Sequence, residues 1–125
     1  MRFSELGRSG VKVSRLGLGC VTFGREIDEP AAFAVADRAF ERGITLFDTA
    51  DVYGGGASET VLGRWVQARG NRDRVVLCTK VGGVSPSDPA DRGCGRARIL
   101  RNIAQVDQAI EALNLESLPS TLLAL

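Results

Sequence analysis

The chain has 125 residues, 44% of them hydrophobic and 25% charged, and sixteen basic against fifteen acidic side chains leave a net charge of +1. That length fits one domain with its own core rather than two, and that hydrophobic content excludes a disordered chain. No block of like charge marks a nucleic-acid or membrane surface, and the absence of histidine removes every Ser-His-Asp or Cys-His nucleophile.

Residues 1–10 (MRFSELGRSG) hold no apolar stretch of signal-peptide length, and no later run approaches a membrane span. Residues 1–14 read as a β-hairpin, with Arg2-Phe3-Ser4 and Val11-Lys12-Val13 flanking a Gly-containing turn. Residues 15–20 (RLGLGC) form an apolar run fit for a buried strand, and Gly17 and Gly19 leave room for close approach to its backbone. A helix starts near Asp28-Glu29-Pro30, where acidic residues suit the helix dipole and proline fits the first turn. Phe33, Ala36 and Phe40 line its apolar face, Asp37, Arg38 and Glu41 fall on the other face, and Gly43 ends it.

Residues 44–48 (ITLFD) are the next strand, followed by a Gly-rich loop over 49–56. Ser58 is placed to cap a helix whose apolar face is Val61, Leu62, Trp65 and Val66, with Gly70-Asn71 as its stop. Residues 75–80 (VVLCTK) form a third strand, β-branched in its first half. After a long loop over 82–95, Ile99, Ile103, Val106, Ile110 and Leu113 follow helical spacing. Leu122-Leu123-Ala124-Leu125 reads as a possible fourth strand, with Pro119 in front of it. The alternation of strand and helix predicts an α/β fold around a parallel sheet with right-handed crossovers. Cys20, Cys78 and Cys94 are odd in number and widely spaced, as for free thiols in a reducing cytoplasm. With no CxxC pair, a zinc site is not expected.

The unusual polar residues fall at strand ends. Asp48 ends the second strand of the alternation, Lys80 ends the third, and Tyr53 lies in the loop after Asp48. In parallel βα architectures the C-terminal strand ends carry the active site. A phenol beside an ammonium, with a carboxylate holding that ammonium, can protonate a carbonyl oxygen as negative charge develops on it. The hydride for such a reduction has to come from a cofactor. A rim ion pair beside a surface tyrosine is the competing, purely structural reading. The spacing Gly17-x-Gly19 with Gly24 does not fit GxGxxG, and Gly54-Gly55-Gly56 is not a P-loop because no GK[ST] follows.

Three ordered blocks resemble the aldo-keto reductases: residues 6–19 (LGRSGVKVSRLGLG), 46–63 (LFDTADVYGGGASETVLG) and 75–81 (VVLCTKV). The likeness runs from about residue 1 to about residue 115. It implies the N-terminal part of a (β/α)8 TIM barrel, three to four βα units preceded by the hairpin. It implies an oxidoreductase that reduces a small aldehyde or ketone with a nicotinamide cofactor, usually NADPH. By the same resemblance Asp48, Tyr53 and Lys80 are the catalytic positions. The backbone at Gly19, Cys20 and Val21, together with Asp48, then lies at the nicotinamide.

The chain departs from the family in its last part. A full barrel needs about 250 residues, so the whole of residues 1–125 is expected to be an incomplete domain. The family's fourth strand ends in His, or in Asn in channel-β-like members, and residues 118–125 (LPSTLLAL) supply neither. The groups that bind the cofactor's phosphates come mostly from the last strands. The expectation is a truncated member, inactive alone. The alternative is a non-catalytic relative that self-associates or docks on another subunit through open sheet edges.

Overall fold

A computed structural model describes residues 1–84 and 92–100 of the chain. Strands β1 (Phe3–Glu5) and β2 (Lys12–Ser14) form the expected antiparallel hairpin, with Phe3 opposite Ser14 and Glu5 opposite Lys12. Strands β3 (Gly17–Gly19), β4 (Leu46–Asp48) and β5 (Val76–Cys78) then pair in parallel, in chain order. Helices α1 (Glu29–Glu41) and α2 (Ala57–Arg69) make the two crossovers. The hairpin is tied to the N-terminal end of β4: the Ser14 hydroxyl accepts from the Thr45 backbone N–H at 2.9 Å, and Ser14 N–H donates to the Thr45 hydroxyl at 3.1 Å. The opposite, C-terminal ends of the strands stay clear of it.

The parallel ladder is shorter than the apolar runs predict, at three residues per strand. Pairing continues as single bonds past the ladder. Cys20 N–H donates to Asp48 O at 2.8 Å, Thr49 N–H to Cys78 O at 2.8 Å, and Asp51 N–H to Lys80 O at 3.1 Å. Register sets the faces. Leu18, Phe47 and Leu77 lie side by side and pack into the core, so Gly17, Leu46, Val76 and Gly19, Asp48, Cys78 face the other way. No described element covers that second face. The expectation of a buried first strand is corrected accordingly: Gly17 and Gly19 are exposed and only the helix-facing side of β3 meets the core.

Both helix boundaries follow local chemistry. The Asp28 side chain accepts from Ala31 N–H at 3.0 Å and Pro30 sits in the first turn of α1. Gly43 ends that helix at a φ of 83°, a left-handed conformation that costs other residues strain. Ala32 and Ala36 are fully buried, which lets α1 lie close to the sheet. The core is centred on Trp65, whose ring centroid is 4.9 Å from Phe47 and 6.0 Å from Phe40, the latter edge-on.

Two side chains differ from their predicted roles. Asp37 was expected on the solvent face of α1, but α2 packs alongside and supplies donors to it. Trp65 Nε1 donates to Asp37 Oδ1 at 2.8 Å, and the Arg69 fork donates to both carboxylate oxygens at 2.8 and 2.7 Å. Those bonds, the guanidinium's first, hold the Asp37 carboxyl below the usual carboxylate range. Ser58 does not cap α2. The cap position is Gly56, in the left-handed region with no side-chain bond, and Ser58 lies within the first turn, fully buried. Its hydroxyl donates to Cys20 O at 2.7 Å and sits 2.8 Å from Thr49 Oγ1, so it ties α2 to the ends of β3 and β4. Ser58→Ala leaves the buried Thr49 hydroxyl without that partner. It is expected to lower stability by about 1–3 kcal/mol, read as a lower urea midpoint at unchanged slope.

Residues 96–100 are helical and open the third predicted helix. Its face Ile103, Val106, Ile110 and Leu113, and the possible strand over 122–125, lie outside the described residues. Among the described residues no helix is long and apolar enough to cross a membrane.

Candidate active site

The C-terminal ends of β4 and β5 bring the three predicted groups together. Asp48 closes the β4 ladder and points to the uncovered face. Lys80 lies two residues past β5, where its backbone carbonyl still receives Asp51 N–H. From there Lys80 Nζ donates to Asp48 Oδ1 at 2.6 Å and to Thr49 O at 2.8 Å. It also reaches the Tyr53 hydroxyl oxygen at 3.5 Å and lies 5.0 Å from the Tyr53 ring centroid. The ammonium is therefore shared between a carboxylate, a carbonyl and a phenol. The bond to Asp48 leads the causes that raise the Lys80 pKa above its ordinary value, with the Tyr53 contact adding to it and burial opposing it. The lysine is charged at neutral pH.

Tyr53 owes its place to the loop on both sides of it. Thr49 and Ala50 are buried, and Tyr53 N–H donates to Ala50 O at 3.1 Å. Tyr53–Gly56 is a tight turn of non-helical backbone, where sequence alone predicted a plain loop. Gly54, Gly55 and Gly56 all have positive φ, at 59°, 62° and 95°, and this left-handed run turns the chain from Tyr53 straight into α2.

The segment predicted to lie at the nicotinamide runs along the same rim, since Gly19 is the register partner of Asp48. A side chain at Gly19 would meet no atom within 4 Å, so its backbone faces open space, and Val21 is exposed. A flat ring can reach this backbone next to Asp48, and in that respect the residues fit a nicotinamide. Cys20 contributes differently. Its N–H is committed to Asp48 O, its carbonyl accepts from Ser58 and Phe23, and its thiol is inside the core.

Residues 15–118 match the Aldo/keto reductase family. The chain belongs to the aldo/keto reductase family. It is similar to an uncharacterized oxidoreductase, YrpG, of Bacillus subtilis (strain 168), with 42% identity over 114 residues that span 82% of this chain and 34% of the relative. It is also similar to the solved holo form of the aldo-keto reductase AKR11C1 from Bacillus halodurans. That likeness has a TM-score of 0.73 at 32% identity and covers 91% of this chain and 37% of that one. The chain thus spans about a third of the length of these relatives. The β3-α1-β4-α2-β5 run is the opening part of the (β/α)8 barrel, and the uncovered face of the sheet is the inner face of that barrel.

Within this aldo/keto reductase segment, sequence reasoning missed Thr49, Asp51 and Arg98 and gave Ser58 a different role. Thr49 anchors Lys80 through a backbone carbonyl, which no sequence pattern reports. Arg98, one residue before the start of the predicted apolar helix face, is buried and bonded to Asp51. Burial, aided by the nearby Asp48 charge, pushes the Cys20 thiol up to about 12. At neutral pH a thiol-specific reagent is expected to label Cys78 and Cys94, both exposed, and to reach Cys20 only after denaturant is added. Counting modified cysteines by mass spectrometry checks this, and labelling of Cys20 in the folded chain would contradict the burial.

Proposed function

We propose that Asp48, Tyr53 and Lys80 form the proton-donating centre of an NADPH-dependent reductase that converts an aldehyde or ketone to an alcohol. The observation that carries this reading is the position of Lys80 Nζ, within reach of both the Asp48 carboxylate and the Tyr53 hydroxyl at the barrel's C-terminal mouth. Bound NADPH would supply the hydride. Gly19 and Val21 would offer a backbone surface to its nicotinamide end, beside Asp48, with the buried Cys20 between them holding that segment to Asp48 O and Ser58. The Tyr53 hydroxyl donates its proton to the carbonyl oxygen as charge builds there. The Lys80 ammonium favours the phenolate left behind, and Asp48 fixes the ammonium at the phenol. Thr49 O gives Lys80 a second acceptor, which limits its swing away from Tyr53.

Phosphate-binding groups of such barrels lie after the seventh and eighth strands, outside the described residues. The test therefore uses a chimera in which residues 15–118 replace the matching stretch of the Bacillus subtilis relative. Aldehyde-dependent oxidation of NADPH by the chimera, with p-nitrobenzaldehyde as substrate, supports the reading. A folded chimera whose turnover is unchanged by Tyr53→Phe overturns it. The chain alone is expected to show no turnover.

A second reading is favoured by the sheet itself. Among the described residues β3 and β5 each have one strand neighbour, and the inner face carries exposed Gly17, Gly19 and Cys78. Open edges of this kind pair with other chains, so self-association or docking on another subunit would protect them. A monodisperse monomer on size-exclusion chromatography, melting cooperatively, would count against that reading.

A further inference from the structure

Arg98 stands outside the proposed chemistry, yet it is tied to both loops that carry it. Its side chain is only 6% exposed and its Asp51 partner 15%. Arg98 Nη2 donates to Asp51 Oδ2 at 2.9 Å, and Nη1 donates to the Gly83 carbonyl. Asp51 precedes Tyr53 by two residues, and Gly83 follows Lys80 by three. The two loops also touch directly. Asp51 N–H donates to Lys80 O at 3.1 Å, and Gly83 packs so close to Val52 that a Cβ there would lie 2.6 Å from Val52 Cγ1.

Gly93 and Cys94 bond back to the loop after Lys80. Gly93 N–H donates to Gly82 O at 3.2 Å, the Cys94 thiol reaches Val81 O at 3.6 Å, and Arg98 N–H donates to Gly95 O at 2.9 Å in the opening turn of the helix. The helix start is thereby pinned against the loop after Lys80, with the guanidinium aimed between the loops. A planar guanidinium holds two acceptors at fixed separation, which one ammonium cannot reproduce. Burying that charge is unfavourable unless it is paired, and among the described residues it is paired with the two loops whose spacing sets the Tyr53–Lys80 distance.

We infer that Arg98 is a positioning residue: it clamps the Tyr53 loop to the loop after Lys80 and so holds the phenol against the ammonium. This rests on the reading of Tyr53 and Lys80 given above, and it assigns the job of keeping them together to a residue outside the pair.

The chain has a single tyrosine and two lysines, Lys12 and Lys80, so proton NMR can read the pair without ambiguity. In the full chain, nuclear Overhauser cross-peaks are expected between the Tyr53 ring and the Lys80 side chain. In Arg98→Met those cross-peaks are lost, while the indole N–H resonance of Trp65, the only tryptophan, and the far-ultraviolet circular dichroism stay as in the wild type. Arg98→Lys, which keeps the charge and loses the fork, restores them only in part. Wild-type cross-peaks in folded Arg98→Met overturn the inference and leave the proposed chemistry standing. Their absence from the wild-type chain overturns both. If Arg98→Met does not fold, Asp51→Asn takes its place, because it keeps the shape of the acceptor and removes its charge; the same two outcomes decide.

Discussion

Tyr53→Phe is expected to reduce aldehyde turnover by about a hundred- to ten-thousand-fold in the chimera that completes the barrel, the range general acid catalysis spans. The change deletes one oxygen and leaves the ring in place over the Lys80 ammonium, so binding and folding should change little. The loss belongs in kcat rather than KM, because the proton moves only as charge develops on the carbonyl oxygen. Lys80→Met probes the same step from the other side. It leaves Tyr53 without its neighbouring cation and is expected to cost about a hundred- to a thousand-fold, comparable to removing one electrostatic donor from an active site. The two effects should not add, since Lys80 acts through Tyr53; a double variant close to Tyr53→Phe alone is the expected result. Steady-state kinetics on the four proteins checks this. Full additivity would mean that the lysine works on something other than the phenol.

The largest effect on stability is expected at Trp65. Its side chain is 1% exposed, packs on Phe47 and Phe40, and donates from Nε1 to Asp37. Trp65→Ala removes that volume from the seam between the sheet and both helices and leaves Asp37 with Arg69 alone. Substitutions of this kind cost about 3–5 kcal/mol, against a net stability of about 5–15 kcal/mol for an ordinary domain. A strongly lowered or vanished cooperative transition in circular dichroism is therefore expected. Trp65→Phe, which keeps most of the packing and loses the N–H, should fall between. A melting temperature within error of wild type for Trp65→Ala would show that the core does not centre on this residue.

What was legible in the sequence was whatever depends on local pattern. Asp28 with Pro30 marked the start of α1, Gly43 and Gly70 marked both helix ends, and Val61, Leu62, Trp65 and Val66 marked the buried face of α2. The ends of the apolar runs placed Asp48 and Lys80 at one rim, because parallel strands joined by helices put their C-terminal ends on the same side. What was not legible depends on contacts between distant elements. Asp37 sits where α1 alone faces water, and only the docking of α2 brings Arg69 and Trp65 to it. Ser58 has the composition of a cap, but Gly56 with its positive φ takes that position, and the serine turns inward to Cys20 and Thr49. Cys20 belongs to a segment that resemblance places at a cofactor, yet its own side chain goes into the core; what the rim offers there is the bare backbone of Gly19. Arg98 carries no local signal of its role, because nothing near it in sequence names Asp51 or Gly83 as partners.

The most direct measurement of the site is the titration of Lys80, followed by carbon-13 NMR of its ε-carbon in wild type and in Asp48→Asn. The bond to Asp48, with that to Tyr53, raises the folded-state pKa. The corresponding stabilisation is therefore complete below the ordinary lysine value of about 10.4 and is lost as pH rises through the higher folded value. The arrangement predicts that Lys80 titrates above that ordinary value and that Asp48→Asn brings it down. A Lys80 that titrates at or below the ordinary value, unmoved by Asp48→Asn, would contradict the shared contact among Asp48, Tyr53 and Lys80.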